Sequence, residues 1–235
     1  MRPLPLCSAL GLLVISGAVH ATETVRPPPR ATSTQSSAFD AVRMNGTEFM
    51  GQTYYKALAT DLRQQLDKDG QALIGEEKGN DSGSYAGYIR AVAIFHQPKK
   101  RVFELMTEAN TQASFMPHVE SSTTMARPVN GELVEFVLKV MLSSFKFHVL
   151  HWFYPEQSRM EWALDTSQKN DIKGQEGYWQ LFEYDANTTI AEYGTRVDTG
   201  IAVPHWIQNL FARADIPKAL TAFREYMNSN GTFRK

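Results

Sequence analysis

The chain has little cysteine, little net charge and few recognisable reactive motifs. Its only cysteine among 235 residues is Cys7, and its formal net charge is -1, with no basic run longer than the three residues at 99–101. A near-neutral chain without a basic patch lacks the electrostatic footprint of a nucleic-acid-binding protein. Neither GxSxG nor HExxH occurs in the sequence, and no P-loop motif occurs either. These absences exclude nucleic acid as an expected partner and leave no enzyme class defined by those motifs.

The first 21 residues have the features of a signal peptide. Met1 and Arg2 give a short positive region, and the apolar run from Leu4 to Val19 is too short for a comfortable membrane span. Small residues up to Ala21 fit a signal-peptidase site, so we expect cleavage near Ala21. Cleavage would leave a cysteine-free exported protein, which favours a periplasmic location over a eukaryotic secretory route. An uncleaved anchor is the alternative.

Two segments separate the signal peptide from the main domain. Residues 22–45 are rich in Pro, Ser and Thr, which predicts a flexible linker. Residues 46–84 are predicted to form an N-terminal helical extension, because four apolar side chains at four-residue spacing make one helical stripe. The stripe consists of Tyr54, Leu58, Leu62 and Leu66. Within this extension, residues 75–84 have the composition of a loop.

Residues 85–235 show the pattern of an α+β domain. A strand at 85–96 is followed by a helix that Pro98 opens and by a second short helix around 111–115. Five or six strand candidates come next without an intervening helix, at about 119–126, 132–140, 145–154, 159–164, 174–184 and 188–197. This order predicts an antiparallel meander.

The chain ends in an amphipathic helix that we expect to begin near residues 203–205. Pro217 has no backbone N–H and disfavours helical dihedrals at Ile216, so it predicts a kink and the start of a second helical segment. Apolar residues recur at three- and four-residue spacing on both sides of Pro217: Ile207, Leu210, Phe211, Ala214, Leu220, Phe223 and Met227. One face of this helix is therefore expected to pack on the sheet.

Alternation along the strands gathers bulky side chains on one face of the predicted sheet. With the turn at 140–144 and the terminal helix, they give the candidate ligand-binding residues: Phe136, Leu138, Val140, Met141, Leu142, Phe145, Phe147, Val149, His151, Met160, Trp162, Trp179, Tyr193, Ile207, Leu210 and Phe211. Such a set either fills a core or lines a pocket, and the pattern favours neither. Met141 and Leu142 occupy a hairpin tip, where they either form a gate or fold back as core.

Few polar residues are arranged for catalysis or metal binding. His148 and His151 are three apart on a strand and point to opposite faces, so we expect no shared metal, a surface His148 and a semi-buried, hydrogen-bonded His151. Glu161 and Asp165 share a face by their spacing, yet solvated carboxylates are commoner than catalytic pairs. We therefore assign no catalytic residue, no metal ligand and no cofactor.

Three blocks of the sequence resemble START-like proteins, a helix-grip superfamily that includes polyketide cyclases and lipid-transfer proteins. They are GYIRAVAIFHQPKKRVFELMTEANTQASFMPHV, GYWQLFEYDANTTIAEYGTRVDTGIAVPHWIQNL and IPKALTAFREYM, within residues 85–227. The resemblance implies an α+β helix-grip fold, in which a curved antiparallel sheet wraps around a long C-terminal helix and two short helices follow the first strand. It also implies a hydrophobic cavity between the sheet and that helix.

The resemblance favours a non-enzymatic function, the periplasmic binding or transfer of a hydrophobic ligand such as a lipid, a sterol-like molecule or a polycyclic molecule. Transient contact with a membrane would accompany such transfer. The alternative is a cyclase, aromatase or dehydratase acting on a bound hydrophobic substrate. That chemistry needs polar groups in the cavity, for which His151, Tyr193 and Glu161 are the candidates. A third alternative is a structural subunit of an envelope complex whose pocket is filled by its own side chains.

Overall fold

The computed structural model describes residues 49–77, 88–140, 142–198 and 216–235, and these form an α+β architecture. The helices in chain order are α1 (Met50–Ala57), α2 (Thr60–Asp69), α3 (Lys99–Met106), α4 (Gln112–Phe115) and α5 (Ile216–Asn228). The strands are β1 (Gln71–Glu77), β2 (Tyr88–Phe95), β3 (Val119–Ala126), β4 (Gly131–Val140), β5 (Ser143–Tyr154), β6 (Arg159–Leu164), β7 (Gly174–Asp185) and β8 (Thr188–Asp198). No helix in these ranges is long and apolar enough to cross a membrane.

All eight strands belong to one antiparallel sheet in the order β1-β2-β8-β7-β6-β5-β4-β3. Strands β3 to β8 follow one another as a meander, and β8 then pairs with β2. The tight connection between β3 and β4 uses Asn130 at a φ of 58°, a left-handed conformation that asparagine tolerates well. The architecture confirms the predicted antiparallel sheet, and α3 and α4 confirm the two short helices after the strand predicted at 85–96.

The inner face of the sheet, defined here as the face that α3, α4 and α5 cover, carries the larger apolar core. From α5 it receives Leu220, Phe223, Tyr226 and Met227, all buried, which confirms the apolar stripe predicted after Pro217. The Phe223 ring contacts Trp179 of β7 with ring centroids 5.5 Å apart. Pro217 lies in the first turn of α5, as predicted, whereas the expected helical part at 203–215 lies outside the described residues.

Polar contacts tie α5 to the edge of the sheet. The Arg224 guanidinium donates to the backbone oxygen of Asp69 at the end of α2, at 2.6 Å, and to that of Ile94 in β2, at 3.3 Å. The Gln71 amide donates to the Pro217 carbonyl at 3.0 Å. These contacts hold one side of α5 against both the edge strand and the preceding helix.

The outer face, on the opposite side of the sheet, is covered at β1, β2, β7 and β8 by α1 and α2. A second apolar cluster forms there. In this cluster, residues of the strands pack against Tyr54 of α1, Leu58 between the two helices and Leu66 of α2. Tyr54 stacks on Phe182 of β7 with ring centroids 4.6 Å apart. The predicted stripe therefore packs, but it packs on the outer face of the sheet.

The N-terminal extension differs from the prediction in two respects. The single predicted helix is two, because Leu58 and Ala59 have extended backbone dihedrals between α1 and α2. In addition, Gln71–Glu77 is a strand that pairs with β2, although we predicted a loop from residue 75. Its register shifts between Leu73 and Gly75, and such a bulge interrupts the alternation that identifies strands. The predicted boundary between residues 84 and 85 lies outside the described residues.

A buried carboxylate, Glu192 of β8, joins α1 to the outer face. Its oxygens accept hydrogen bonds from the Tyr54 hydroxyl at 2.6 Å and the Tyr178 hydroxyl at 2.5 Å, and from the Arg90 guanidinium at 2.7 Å. Burial, together with the neighbouring Glu192 carboxylate, raises the pKa of both tyrosines well above their usual range. Both hydroxyls therefore stay protonated and act as donors to Glu192 at physiological pH.

Substituting Tyr54→Phe should cost about 1–3 kcal/mol of folding free energy, because it removes one donor from a buried carboxylate and keeps the ring. The matched control is Tyr55→Phe, whose hydroxyl bonds to the exposed Asp67 and should change stability by less than about 0.5 kcal/mol. Urea unfolding of both variants measures the difference. Equal stabilities of the two variants would contradict a role for Tyr54 in holding Glu192.

Candidate functional site

The inner face brings together most of the predicted ligand-binding residues. Strand register places Phe136 opposite Phe147, His151 opposite Trp162, and Trp179 opposite both Met160 and Tyr193. The buried members of the set are Phe136, Phe147, Val149, His151, Met160, Trp162 and Trp179. Leu138, Phe145 and Tyr193 are half-buried on the same face. The alternation in the sequence thus identified the correct face of five neighbouring strands.

The other predicted residues have different outcomes. Leu142 is fully exposed, at 101% of its reference area, so folding back as core is wrong for this residue. Val140 ends β4, but the position of its side chain is not described. Met141, Ile207, Leu210 and Phe211 lie outside the described residues. A ligand-binding role stays a prediction for all sixteen candidate residues.

Aromatic rings form a continuous group across the middle of the inner face. Tyr193 stacks on Trp162 at 5.8 Å between ring centroids and contacts Trp179 at 4.6 Å. The Trp162 indole lies over Gly177 of β7, where a Cβ atom would approach the indole Cζ2 to 2.3 Å. Gly177 therefore provides the space for this ring. The role of Gly177 escaped sequence reasoning, because nothing in its own strand shows what lies above it.

Two polar residues, Glu132 of β4 and His151 of β5, lie opposite each other on the same inner face. Glu132 is 1% exposed and His151 is 5% exposed. The Glu132 Oε1 to His151 Nδ1 distance is 3.6 Å, too long for a hydrogen bond. We call these residues the inner Glu–His pair. His151 is more buried than we predicted, and the hydrogen bond expected of it is not formed by Nδ1 within the described parts of the chain.

Glu132 was not among our predicted site residues. The available signal was its even spacing from Val134 and Phe136, which places it on the inner face of β4. Its other oxygen, Oε2, accepts a hydrogen bond from Thr124 Oγ1 at 3.1 Å, and it lies 3.9 Å from the exposed Arg127 guanidinium. Glu132 thus has two polar neighbours, Thr124 of β3 and Arg127 just after β3, and its partner His151 is surrounded by aromatic rings.

Aromatic rings enclose the imidazole of His151. Its ring centroid lies 6.2 Å from that of Phe136, 6.4 Å from that of Phe153 and 6.4 Å from that of Trp162. Phe136 and Trp162 meet it edge to face. The surroundings of the imidazole are therefore largely apolar, apart from Glu132.

Two of the three polar candidates for cavity chemistry lie on the inner face. These are His151 and Tyr193, and burial raises the pKa of the Tyr193 hydroxyl to about 12. Glu161 was wrong as a cavity residue, because it lies between two inner-face residues of β6 and points to the outer face. There it pairs with Arg159 at 2.6 Å.

The outer face of the same hairpin carries a second pair, Glu135 and His148, which we call the outer Glu–His pair. Its Glu135 Oε2 to His148 Nε2 distance is 3.3 Å, and Lys146 Nζ lies 3.1 Å from the same carboxylate. His148 and His151 therefore occupy opposite faces of β5, as predicted. Within the described ranges, no cluster of three or more His, Cys, Asp or Glu side chains is arranged to hold a metal ion.

Neither a protein-family model nor a curated protein matches the sequence. Solved structures do match. A STAR-related lipid transfer protein fragment from Xanthomonas axonopodis is 18% identical with a TM-score of 0.54, over 68% of this chain and 99% of that chain. A START superfamily protein from Mycobacterium smegmatis is 13% identical with a TM-score of 0.52, over 60% of this chain and 97% of that chain.

The Zhui aromatase/cyclase from Streptomyces sp. R1128 is 12% identical, with a TM-score of 0.52 over 61% of this chain and 92% of that chain. Identities this low show the fold alone. The chain has the α+β helix-grip fold of START-like proteins, which confirms the resemblance seen in the sequence blocks.

Proposed function

We propose that this START-like chain binds and transfers a hydrophobic molecule in the periplasm, holding it between the inner face of the sheet and the C-terminal helix. The observation that carries the proposal is the group of aromatic and aliphatic side chains that five neighbouring strands turn toward one side. Each methylene of a ligand removed from water there would contribute about 0.8 kcal/mol. The names of two similar structures, a lipid transfer protein and an aromatase/cyclase, support a hydrophobic ligand.

Native mass spectrometry of the protein released gently from the periplasm tests location and ligand together. We expect the polypeptide to begin near Thr22, because cleavage near Ala21 removes the signal peptide, and to carry a non-covalent hydrophobic adduct. A full-length species in the membrane fraction would contradict the proposed location. A processed protein without adduct that also fails to bind xenon would favour the alternative of a pocket filled by its own side chains.

Phe147 provides a direct test of the inner face. It is 3% exposed and stacks on Phe136 at 5.8 Å between ring centroids. Phe147→Ala should weaken binding of a fluorescent lipid and lower stability by about 3–5 kcal/mol, or by less if the ring lines an open pocket. Binding and unfolding are measured on the same preparation.

The matched control is Phe182→Ala, which removes an equally buried ring from the outer face. It should lower stability to a similar extent and leave lipid affinity unchanged in the folded fraction. If both variants lose affinity equally, the loss follows from stability, and the inner face has no special role in binding.

The exposed Leu142 at the β4–β5 turn is proposed to contact the membrane or gate the pocket during transfer. An isolated exposed leucine is common, so its position at a hairpin tip carries the argument. Leu142→Asp should slow lipid exchange with vesicles while the thermal midpoint stays within about 1 °C, because an exposed side chain contributes little stability.

Val129→Asp is the control for this variant. Val129 is 87% exposed in the connection between β3 and β4, at the opposite end of β4 from Leu142. Its replacement should leave the exchange rate unchanged. Equal slowing in both variants would point to a general effect of negative charge at the membrane surface.

A second candidate function is acid–base catalysis on a bound hydrophobic substrate, of the cyclase, aromatase or dehydratase type. The inner Glu–His pair favours it, because an imidazole beside a carboxylate is a common arrangement for moving protons. Recovery of the co-purified molecule after incubation separates the two functions. An unchanged mass together with an unchanged fragmentation spectrum supports binding or transfer, whereas loss of water, or a changed fragmentation spectrum at equal mass after ring closure, supports catalysis.

A further inference from the structure

The inner Glu–His pair carries buried polar atoms for which the described residues supply no hydrogen-bond partner. Within the parts of the chain that the structure describes, Glu132 Oε1, His151 Nδ1 and Trp162 Nε1 have no hydrogen-bond partner. All three residues are at least nine-tenths buried and lie in one row across β4, β5 and β6. A buried polar atom without a partner costs free energy, so three in one row require an explanation.

The chemistry of the pair defines what fits it. A carboxylate oxygen only accepts hydrogen bonds, whereas neutral imidazole offers one donor and one acceptor nitrogen. Two acceptors 3.6 Å apart would repel each other, so His151 Nδ1 is assigned as the N–H that faces Glu132. The pair therefore presents one donor and one acceptor side by side.

We infer that the inner Glu–His pair binds a hydroxyl group of the hydrophobic ligand, which donates to Glu132 Oε1 and accepts from His151 Nδ1. This inference rests on the proposed function. An oxygen about 2.8 Å from each atom fits at the apex of a triangle whose base is the observed 3.6 Å. An ether oxygen lacks the donor hydrogen, and a carboxylate would place a second negative charge beside Glu132.

The Trp162 indole N–H extends the site as a further donor in the same row, next to the aromatic rings that would surround the ligand body. On the other side, Thr124 Oγ1 lies between Glu132 Oε2 and Asn110 Oδ1, at 3.1 Å and 2.8 Å. Asn110 and Arg127 line an open polar pocket of about 360 Å³. Glu132 thus stands between a polar region and the aromatic inner face, which suits the polar end of an amphipathic ligand.

Three probes that share one ring system test the inference on the folded, full mature chain: a naphthol, its methyl ether and the corresponding naphthoate. Titration calorimetry gives each dissociation constant. We expect the wild-type protein to bind the naphthol about tenfold more tightly than the ether, because the hydrogen bond to the carboxylate is lost, and to bind the naphthoate most weakly.

Glu132→Gln keeps the shape of the side chain and removes its charge, so it should reduce the preference for the naphthol over the naphthoate about tenfold. His151→Phe keeps a ring among its aromatic neighbours and removes the N–H donor that the naphthol and the ether oxygen share, so it should weaken binding of both probes about tenfold and leave their ratio unchanged. The matched controls are Glu135→Gln and His148→Phe in the outer Glu–His pair, which should leave the affinities for all three probes unchanged.

Equal affinity of the wild-type protein for the three probes would overturn the inference and leave the proposed function intact. An unchanged preference for the naphthol over the naphthoate in Glu132→Gln, or an unchanged affinity for the naphthol in His151→Phe, would also overturn it. If the folded wild-type protein binds none of the three, both the proposed function and the inference fail. Near-ultraviolet circular dichroism of each variant confirms that the affinities refer to folded protein.

Discussion

The burial of the Glu192 carboxylate is the constraint on which the arrangement of the two layers depends. Its side chain is 3% exposed, and a buried charge is tolerated only when donors surround it. Arg90 and Tyr178 come from the sheet itself, but Tyr54 comes from α1. The outer face is therefore incomplete without the N-terminal helices. The Glu192 network of β2, β7 and β8 lies on this outer face, whereas the inner face of the same strands carries mainly apolar side chains.

The β4–β5 hairpin carries one Glu–His pair on each face, and the two pairs differ in their surroundings. The outer Glu–His pair has Lys146 at its carboxylate and the side-chain oxygen of Asn170 3.2 Å from the imidazole, and its members retain contact with solvent. The inner pair has the same two residue types, which also lie directly opposite each other on β4 and β5. Its facing atoms, however, have no hydrogen-bond partner in the described ranges. Solvation makes the first pair an ordinary surface feature. Burial makes the second one selective, because a group that enters must satisfy both atoms together.

Sequence reasoning was strongest where alternation and turn residues agree. The predicted strand at 159–164 matches β6, and the one at 132–140 differs from β4 by one residue, because each such strand turns one face to the core. It was weakest for features that depend on which strands pair and in which register. The edge strand β1 pairs with β2 over a sequence gap and contains a bulge, and its glycine and two glutamates have the composition of a loop. Glu132 was missed for a related reason: its own strand gives its face, but only the register of β4 and β5 gives it His151 as a neighbour.

Arg224 attaches the described part of the terminal helix, α5, to the sheet and to the end of α2. One guanidinium bonds to the backbone oxygens of Asp69 and Ile94, and Gln71 bonds to the first turn of the same helix. At Gly70, where φ is 69°, a Cβ atom would collide with this guanidinium, so the chain passes directly beneath it. Lifting α5 would break these bonds together and strip Phe223 and Met227 from the core. We therefore expect the segment from Ile216 to Asn228 to stay in place when a ligand enters. Any opening of the inner face would then come from movement in another part of the molecule.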